Sequence, residues 1–567
     1  MKAANEAFGF CIAALRKNFF SVALELFKFS VKLKGIRDLS VISSHSLFSF
    51  GIPTMKRFFL SALTLLFLLT VTLWAEEKRP VLIINEDNDH YFKQTADLMT
   101  LDALQAYIDR MKDSHVTHFF MCPQGQRTSY DSKVHERIWE GMADGSPVDY
   151  GPGEAGIRWT SNCKKLYEMG IDPYTVWIDR CRQDGISPWI SMRMNDVHFV
   201  NRPNYFRNFN FWREHRELWR VPDSNLSNWT DCAFNYAKKG AYDFYMACAV
   251  ELLERYDADG FEMDWMRFCL HLTPGKEVED AHFLTQFVRD VKAKALEMEK
   301  VRGHKILISV RVPATPQASA ALGMDAVAWA KEGLIDQIVA SCFFSTSDFD
   351  IPAADWKKAV GNPDFPVFAA TDDGVSCGSG VARTPLSYEM YDGWATNMYA
   401  NGADGLYLFN LVYRPAIFEH LIKRGFAPDE IVNFPRRHVV SWRDYMATYG
   451  KPELDQEKQL PKTLSAPAEV KVQFGRKPTV AGAFYITAGF FEGEGLNDAE
   501  FQVQLNGSDA LETKELMNPQ RFGGMARAVR FRVPSEAVRD GINGVNVTQK
   551  TGKAQKLGWV EMEFQPE

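Results

Sequence analysis

Two acidic residues, Glu262 and Asp264, stand two apart in the otherwise apolar stretch "DGFEMDWMRF", residues 259–268. Alternate side chains of a β-strand point to the same face, so both carboxyls would share one face and the intervening apolar residues the other. Buried carboxyls of this kind suit glycosidic bond hydrolysis. In that reaction one acid protonates the leaving group and a second carboxylate attacks or stabilises the oxocarbenium-like centre.

Neighbouring apolar stretches repeat this alternation and aim further polar side chains at the same place. In "WISMRMN" the inward set includes Arg193, and in "ILISVRV" it includes Arg311. We expect the two arginines to bracket Glu262 and Asp264 and to keep both ionised, because an unpaired buried charge costs several kcal/mol. Asp264, nearer the strand end, is predicted to be the nucleophile or charge stabiliser. Glu262, one layer deeper, is either catalytic or part of an internal ion network.

A second catalytic carboxyl is expected from another strand end. Asp372 and Asp373, in "ATDDG", follow a later apolar stretch, and either could be the acid/base, although Asp is also common in plain turns. Other polar residues fall at or near strand ends, where they could hold sugar hydroxyls or tune the carboxylates. The predicted substrate-binding residues are Asn85, Asp87, Arg193, Asn195, His198, Arg267, Arg311 and Asn410.

Motifs for metal sites are missing from the sequence. The first strand lacks His-x-His, and there is no HExxH and no EF-hand spacing. The sequence therefore predicts no metal site and no cofactor.

The elements that must position these residues alternate between apolar strands and amphipathic helices from Pro80 to about residue 435. Strands are predicted to begin near residues 81, 117, 186, 259, 305, 336, 365 and 404. Eight β-then-α units over this length predict a (β/α)₈ TIM barrel, an α/β fold, over residues 79–435. A doubly wound sheet is the alternative, but no Gly-rich phosphate loop follows the first strand.

The last hundred residues change character. Short alternating strands with turn residues between them predict a small all-β sandwich over residues 468–567, and the Lys/Glu/Pro-rich segment before it predicts a linker over 436–467.

The N-terminal region predicts export. Residues 55–75 have the basic start, apolar core and small final residue of a signal peptide, with an uncleaved membrane anchor as the alternative. Residues 1–54 precede this signal and are predicted to lie outside the fold. Secretion or a periplasmic location follows, without stable membrane insertion after cleavage. The formal net charge of -7 argues against a nucleic-acid partner.

Several stretches together resemble the glycoside-hydrolase-like barrels related to family 10. They are "DGFEMDWMRF" followed by "TPGKE", "ISMRMNDVH", "VRVPATPQASAALGMDAVAWAKEGLIDQIV" and "FWREHRELWR". The segments "VQLNG" and "RVPSEAVRDGINGVNV" are similar to the β-sandwich modules that follow such barrels. The resemblance implies a secreted glycan-active enzyme with Asp264 at the usual strand-four position. The Asn-Glu signature of xylanase-type barrels is absent from this sequence. The resemblance therefore does not identify the acid/base residue.

These observations predict a secreted glycoside hydrolase that acts on a poly- or oligosaccharide. A non-catalytic glycan-binding barrel and a polysaccharide lyase, with an Arg beside a base such as His198, are the alternatives.

Overall fold

The computed structural model describes residues 80–342, 346–442, 445–455 and 458–567. The predicted signal peptide and the segment before it lie outside the described residues. Within the described part of the chain, no helix is both long and apolar enough to cross a bilayer.

Eight parallel strands close into a barrel, which confirms the predicted (β/α)₈ fold. Each strand begins within two residues of its predicted start. The barrel strands are β1 Val81–Glu86, β2 His118–Gln124, β3 Ser187–Arg193, β4 Gly260–Asp264, β5 Leu307–Pro313, β6 Gln337–Ser341, β7 Val367–Thr371 and β8 Gly405–Leu408. They pair in chain order, with β8 closing on β1.

Helices follow most of the strands and cover the outside of the barrel. They are α1 Leu101–Asp109, α2 Ala155–Glu168, α3 Pro173–Gln183, α4 Asn210–Glu214, α5 Lys239–Arg255, α6 Ala281–Arg302, α7 Pro316–Ala321, α8 Ala326–Lys331, α9 Ala353–Val360, α10 Tyr388–Ala400, α11 Pro415–Arg424 and α12 Pro428–Ile431. Local sequence fixes their ends. At α3, for example, the Asp172 side chain accepts the backbone N–H groups of Tyr174 and Thr175, and proline fills the first helical position.

An apolar floor fills the lower part of the barrel interior. Phe120 and Trp189 stack there with ring centroids 4.7 Å apart. Gly260 is opposite Trp189 in the β3–β4 register, and a Cβ at that position would lie 2.3 Å from the indole ring. The glycine of "DGFEMD" therefore makes room for the floor. The carboxyls two and four residues later stand above it, toward the C-terminal end of the barrel.

The C-terminal part of the chain forms two antiparallel sheets. Their strands are β9 Arg436–Val439, β10 Lys462–Thr463, β11 Ala468–Gln473, β12 Gly482–Phe490, β13 Phe501–Leu505, β14 Ser508–Asp509, β15 Leu511–Glu512, β16 Arg527–Val533, β17 Ile542–Gln549 and β18 Lys556–Pro566. One sheet has the order β9-β18-β12-β16-β15, with β10 also on β18, and the other the order β11-β17-β13-β14. The two sheets contribute one ring each to a stacked pair. The ring centroids of Phe490 and Phe501 lie 3.9 Å apart.

The segment predicted as a linker contributes to this β domain. Strand β9, at its start, pairs with β18 and packs on the last long barrel helix, α10. Its two arginines are buried, and Arg437 donates to both oxygens of Glu561 at 2.9 and 2.7 Å. The predicted linker, residues 436–467, includes this strand. The burial of its arginines depends on a partner about 120 residues away.

Candidate active site

Asp264 lies at the C-terminal end of β4 and is held by Arg311 of β5. The Arg311 Nε donates to Oδ1 at 2.9 Å and Nη2 donates to Oδ2 at 2.8 Å. The backbone N–H of Met266 adds a third bond to Oδ1 at 3.1 Å. Both side chains are almost fully buried, so the guanidinium supplies the charge that compensates this carboxylate. The predicted inward orientation of both residues matches the observed register, in which Asp264 is opposite Arg311.

Glu262 has different surroundings from those expected. It accepts hydrogen bonds from Ser191 Oγ at 2.7 Å and from Tyr407 OH at 3.1 Å, and no arginine bonds to it. Complete burial raises the pKa of Glu262 to about 8, and the charge of Asp264 adds to the shift. The expectation that two arginines keep Glu262 ionised is therefore wrong. This carboxyl is protonated at neutral pH.

Arg193 also departs from the predicted bracket. Its guanidinium bonds to Asp87, which follows β1, and donates to Asp196 Oδ2 at 2.9 Å. Arg207 donates to the same Asp196 oxygen at 3.0 Å. Burial alone would raise the pKa of Asp87, but Arg193 with its cationic neighbours lowers it below the ordinary value. The inward-facing arginines Arg311 and Arg193 thus form two separate centres, one on Asp264 and one on Asp87 and Asp196.

His198 and Arg267 link these two centres. The Arg267 Nη2 donates to His198 Nε2 at 2.9 Å, so the ring proton is on Nδ1, which faces Asp196. Burial, reinforced by Arg207 and Arg267, lowers the pKa of His198 to about 4. The imidazole is therefore neutral at pH 7. Arg267 and Arg311 both pack against the Phe409 ring. The guanidinium carbon of Arg267 lies 5.9 Å from the ring centroid, and the guanidinium carbon of Arg311 lies 4.2 Å from it.

The side-chain amides of the three predicted asparagines differ in how many of their hydrogen-bonding atoms have a partner. The amide of Asn195 is bonded on all sides: its nitrogen donates to the carbonyls of Phe234 and Leu270, and its oxygen accepts from the N–H of Phe234 and from Tyr245. This geometry favours a structural role, because the residue fastens the loop after β3 to that after β4. By contrast, buried side-chain oxygens on two others have no partner in the described structure. They belong to Asn85 and Asn410, on the neighbouring strand ends of β1 and β8.

Asp372 and Asp373 follow β7 and form a pair of their own. The backbone N–H of Asp373 donates to Asp372 Oδ1 at 2.8 Å, and both carboxyls pair with Arg383. Burial raises the pKa of Asp372, whereas for Asp373 the arginine outweighs burial and lowers the pKa. Their side chains stay about one-third exposed, at 35% and 31%. Among the described residues, neither shares a hydrogen bond or ion pair with Asp264.

Two site residues, Tyr407 and His90, were not among the predicted ones. The alternation of "DGLYLFN" already places Tyr407 on the inner face beside Phe409, so it could have been found. His90, after β1, packs its ring 3.7 Å from that of Tyr413 and lies between Glu86 and Asp89. Burial opposes protonation, but these two acids raise the pKa of His90.

Three of these residues are close enough together to hold a metal ion. Ligand atoms of Asp87, Asp89 and His90 lie within 4.8 Å of one another. However, Asp87 already binds Arg193, and Asp89 binds Lys93. Because side-chain cations already compensate both carboxylates, we assign no metal to this cluster.

Comparisons with known proteins assign no family to the chain and give only distant structural matches. No model of a known protein family matches the chain, and a search of curated proteins finds no match. An endo-beta-1,4-mannanase from Thermotoga petrophila is 13% identical with a TM-score of 0.35, covering 86% of this chain and 98% of that one. A putative alpha-L-fucosidase from Bacteroides thetaiotaomicron is 10% identical with a TM-score of 0.31, covering 86% and 95%.

A third solved structure is longer than this protein. It is a cycloisomaltooligosaccharide glucanotransferase from Paenibacillus sp., 10% identical with a TM-score of 0.30. The match covers 86% of this chain but 58% of that one. No score among these reaches a level at which an activity transfers, so the function rests on the residues at the barrel mouth.

Proposed function

We propose that the protein is a glycoside hydrolase whose ionised catalytic carboxylate is Asp264. The observation that supports this most is the doubly bonded Arg311–Asp264 pair at the C-terminal end of β4, the face on which TIM barrels build their active sites. The guanidinium fixes the position of the carboxylate through two hydrogen bonds. A fixed anion is what a glycosyl centre with developing positive charge requires.

The acid/base is proposed to be Asp372, with Asp373 as its anionic neighbour. A general acid must hold a proton near neutral pH, and burial raises the pKa of Asp372 while Arg383 holds that of Asp373 down. Glu262 is also protonated, but it is completely buried beneath Asp264. We therefore give it a supporting role, in which a neutral acid under Asp264 leaves the negative charge on the upper carboxylate alone.

The remaining polar residues are proposed to bind the sugar. Asn85 and Asn410 offer unpartnered oxygens beside the mouth, and Tyr413 is 52% exposed next to His90. Aromatic faces and amide groups are the usual partners of sugar rings and hydroxyls. The substrate is accordingly a poly- or oligosaccharide, and the predicted signal peptide makes the protein secreted or periplasmic.

The test is a screen of the purified protein against polysaccharides and aryl glycosides, with Asp264→Asn as the inactive variant. Asp392→Asn is the matched control, because Asp392 is also a buried aspartate that pairs with an arginine, Arg424, but on the outer helix α10. The proposal expects turnover by the wild type and the control and none by Asp264→Asn. Hydrolysis at the wild-type rate by Asp264→Asn would remove Asp264 from catalysis.

A second candidate is a glycan-binding barrel without catalysis. It is favoured by one observation: Asp264 and both acids after β7 are ion-paired with arginines. It predicts glycan binding with no turnover of any substrate in the panel. The lyase alternative has Arg267 beside His198, and it predicts a product with a new double bond, seen as ultraviolet absorbance.

A further inference from the structure

A second cleft, here called the lysine cleft, lies between the loop that follows β6 and the β domain. Its volume is about 390 Å³. Three of the residues that line it are lysines, Lys458 and Lys462 from the segment before β11, and Lys471 from β11 itself. Two acids, Asp350 and Glu469, also line it.

Among the described residues, none of the three lysines has a carboxylate oxygen within ion-pair distance, although Lys458 still interacts electrostatically with Asp455. Lys462 Nζ donates to the backbone carbonyl of Glu469 at 2.7 Å, and Lys458 Nζ lies 4.6 Å from the centroid of the Trp442 ring. These contacts position two of the ammonium groups without neutralising them. Three positive charges that converge on one cleft of a protein with net charge -7 are a local feature, not the consequence of a basic surface.

Trp442 packs against Lys458 and lies beside a further cleft. The same indole lines a neighbouring cleft of about 390 Å³ together with Arg383, which pairs with Asp372 and Asp373. Its ring nitrogen is buried and has no acceptor in the described structure. Trp442 thus contacts one lysine of the lysine cleft and shares the neighbouring cleft with Arg383.

We propose that the lysine cleft binds an acidic polysaccharide, with Lys458, Lys462 and Lys471 pairing with its carboxylate or sulfate groups. This inference rests on the proposed function, because the cleft would hold a distant part of the chain that the barrel cleaves. Ammonium groups bind anions as point charges and accept either a carboxylate or a sulfate. A sugar chain that carries such groups at intervals fits separated lysines better than a single small anion does.

Binding is best tested with three polymers that share one backbone: dextran, carboxymethyl-dextran and dextran sulfate. The protein is full-length Asp264→Asn, so that no cleavage disturbs the measurement. We expect both charged dextrans, or one of them, to bind at low ionic strength and neutral dextran not to bind. Binding should weaken as salt is added, because exposed charge pairs are screened. Which charged dextran binds assigns the anion.

The decisive variant replaces the three lysines with glutamine, Lys458→Gln, Lys462→Gln and Lys471→Gln. It is expected to lose affinity by about tenfold, as three partly exposed charge pairs would. Its matched control replaces three exposed lysines outside the cleft, Lys305, Lys514 and Lys550, which removes the same charge. The control should keep the affinity of the parent protein.

Equal binding by the two triple variants would overturn the inference, as would failure of both charged dextrans to bind. Duplex DNA serves as a further polyanion, and binding of DNA as tight as that of the dextrans would show general charge attraction instead of a glycan site. These outcomes do not depend on turnover. If the lysine cleft binds but no glycan is ever cleaved, the hydrolase proposal fails and the cleft stands.

Discussion

Arg311 and Asp264 form two parallel hydrogen bonds, 2.9 and 2.8 Å long, between adjacent barrel strands and almost out of contact with solvent. A pair of this kind both joins two strands and fixes the orientation of a carboxylate. The two contributions are separable by mutation, because stability depends on the balance of charge and catalysis depends on the carboxylate itself.

Arg311→Met is predicted to destabilise the fold by about 3–5 kcal/mol, since it leaves the buried Asp264 charge without a partner. The double variant Arg311→Met/Asp264→Asn should recover part of that loss but none of the activity. Urea unfolding and turnover are measured side by side. Recovery of activity in the double variant, or no recovery of stability, would contradict this account of the pair.

Asp372→Asn is predicted to discriminate between leaving groups. On a polysaccharide, loss of the proton donor should reduce kcat by about 10²–10⁴-fold. On a 2,4-dinitrophenyl glycoside of the same sugar, which leaves without protonation, most of the first-step rate should remain. Asp264→Asn should lose both activities. If Asp372→Asn affects the two substrates equally, the acid/base is another residue, and Asp373→Asn is the next variant to measure.

Glu262 is predicted to make the wild type less stable as pH rises. Its pKa is about 8 in the folded protein, against about 4.3 for an unfolded glutamate, so the folded state holds the proton longer. The stability that the fold gains by holding this proton is therefore fully present below about pH 4.3 and is lost as pH rises toward 8. Glu262→Gln removes this dependence.

The measurement is urea unfolding of both proteins between pH 5 and 8.5. The stability of Glu262→Gln relative to wild type should rise by up to about 1.4 kcal/mol per pH unit and level off above pH 8. A constant difference across that range would show that Glu262 is ionised in the fold.

Arg437 and Glu561 give the β domain a test of the same kind. Arg437→Met should cost about 3–5 kcal/mol, because Glu561 is buried and its charge would have no compensating partner. Glu561 also accepts a hydrogen bond from Trp559 Nε1 at 2.9 Å, so the second substitution should keep an acceptor there. We expect Arg437→Met/Glu561→Gln to unfold at a denaturant concentration close to that of the wild type. Additive losses would show that the two side chains are not coupled.

The barrel was predictable because its signals are local. Each strand is a short apolar stretch followed by a helix, and period-two alternation told which of its side chains face inward. For that reason Glu262, Asp264, Arg193 and Arg311 were all correctly placed on the inner face.

Pairing among those side chains was not predictable. Arg193 contacts Asp87 and Asp196 from two other loops, and this leaves Glu262 with only Ser191 and Tyr407. Alternation gives the face of a residue but not how far its side chain extends or which loop acid it meets. The same limit explains the lysine cleft, whose residues come from segments that have no common pattern in the sequence.

Strand β9 has a consequence for how the chain can be divided. It covers one side of β18, an eleven-residue strand whose side chains are mostly buried. A fragment that begins at residue 468 would lack this cover and present an open row of backbone donors and acceptors. Such an edge recruits other strands, so the isolated fragment should self-associate into aggregates. A fragment that begins before residue 436 would keep the edge paired.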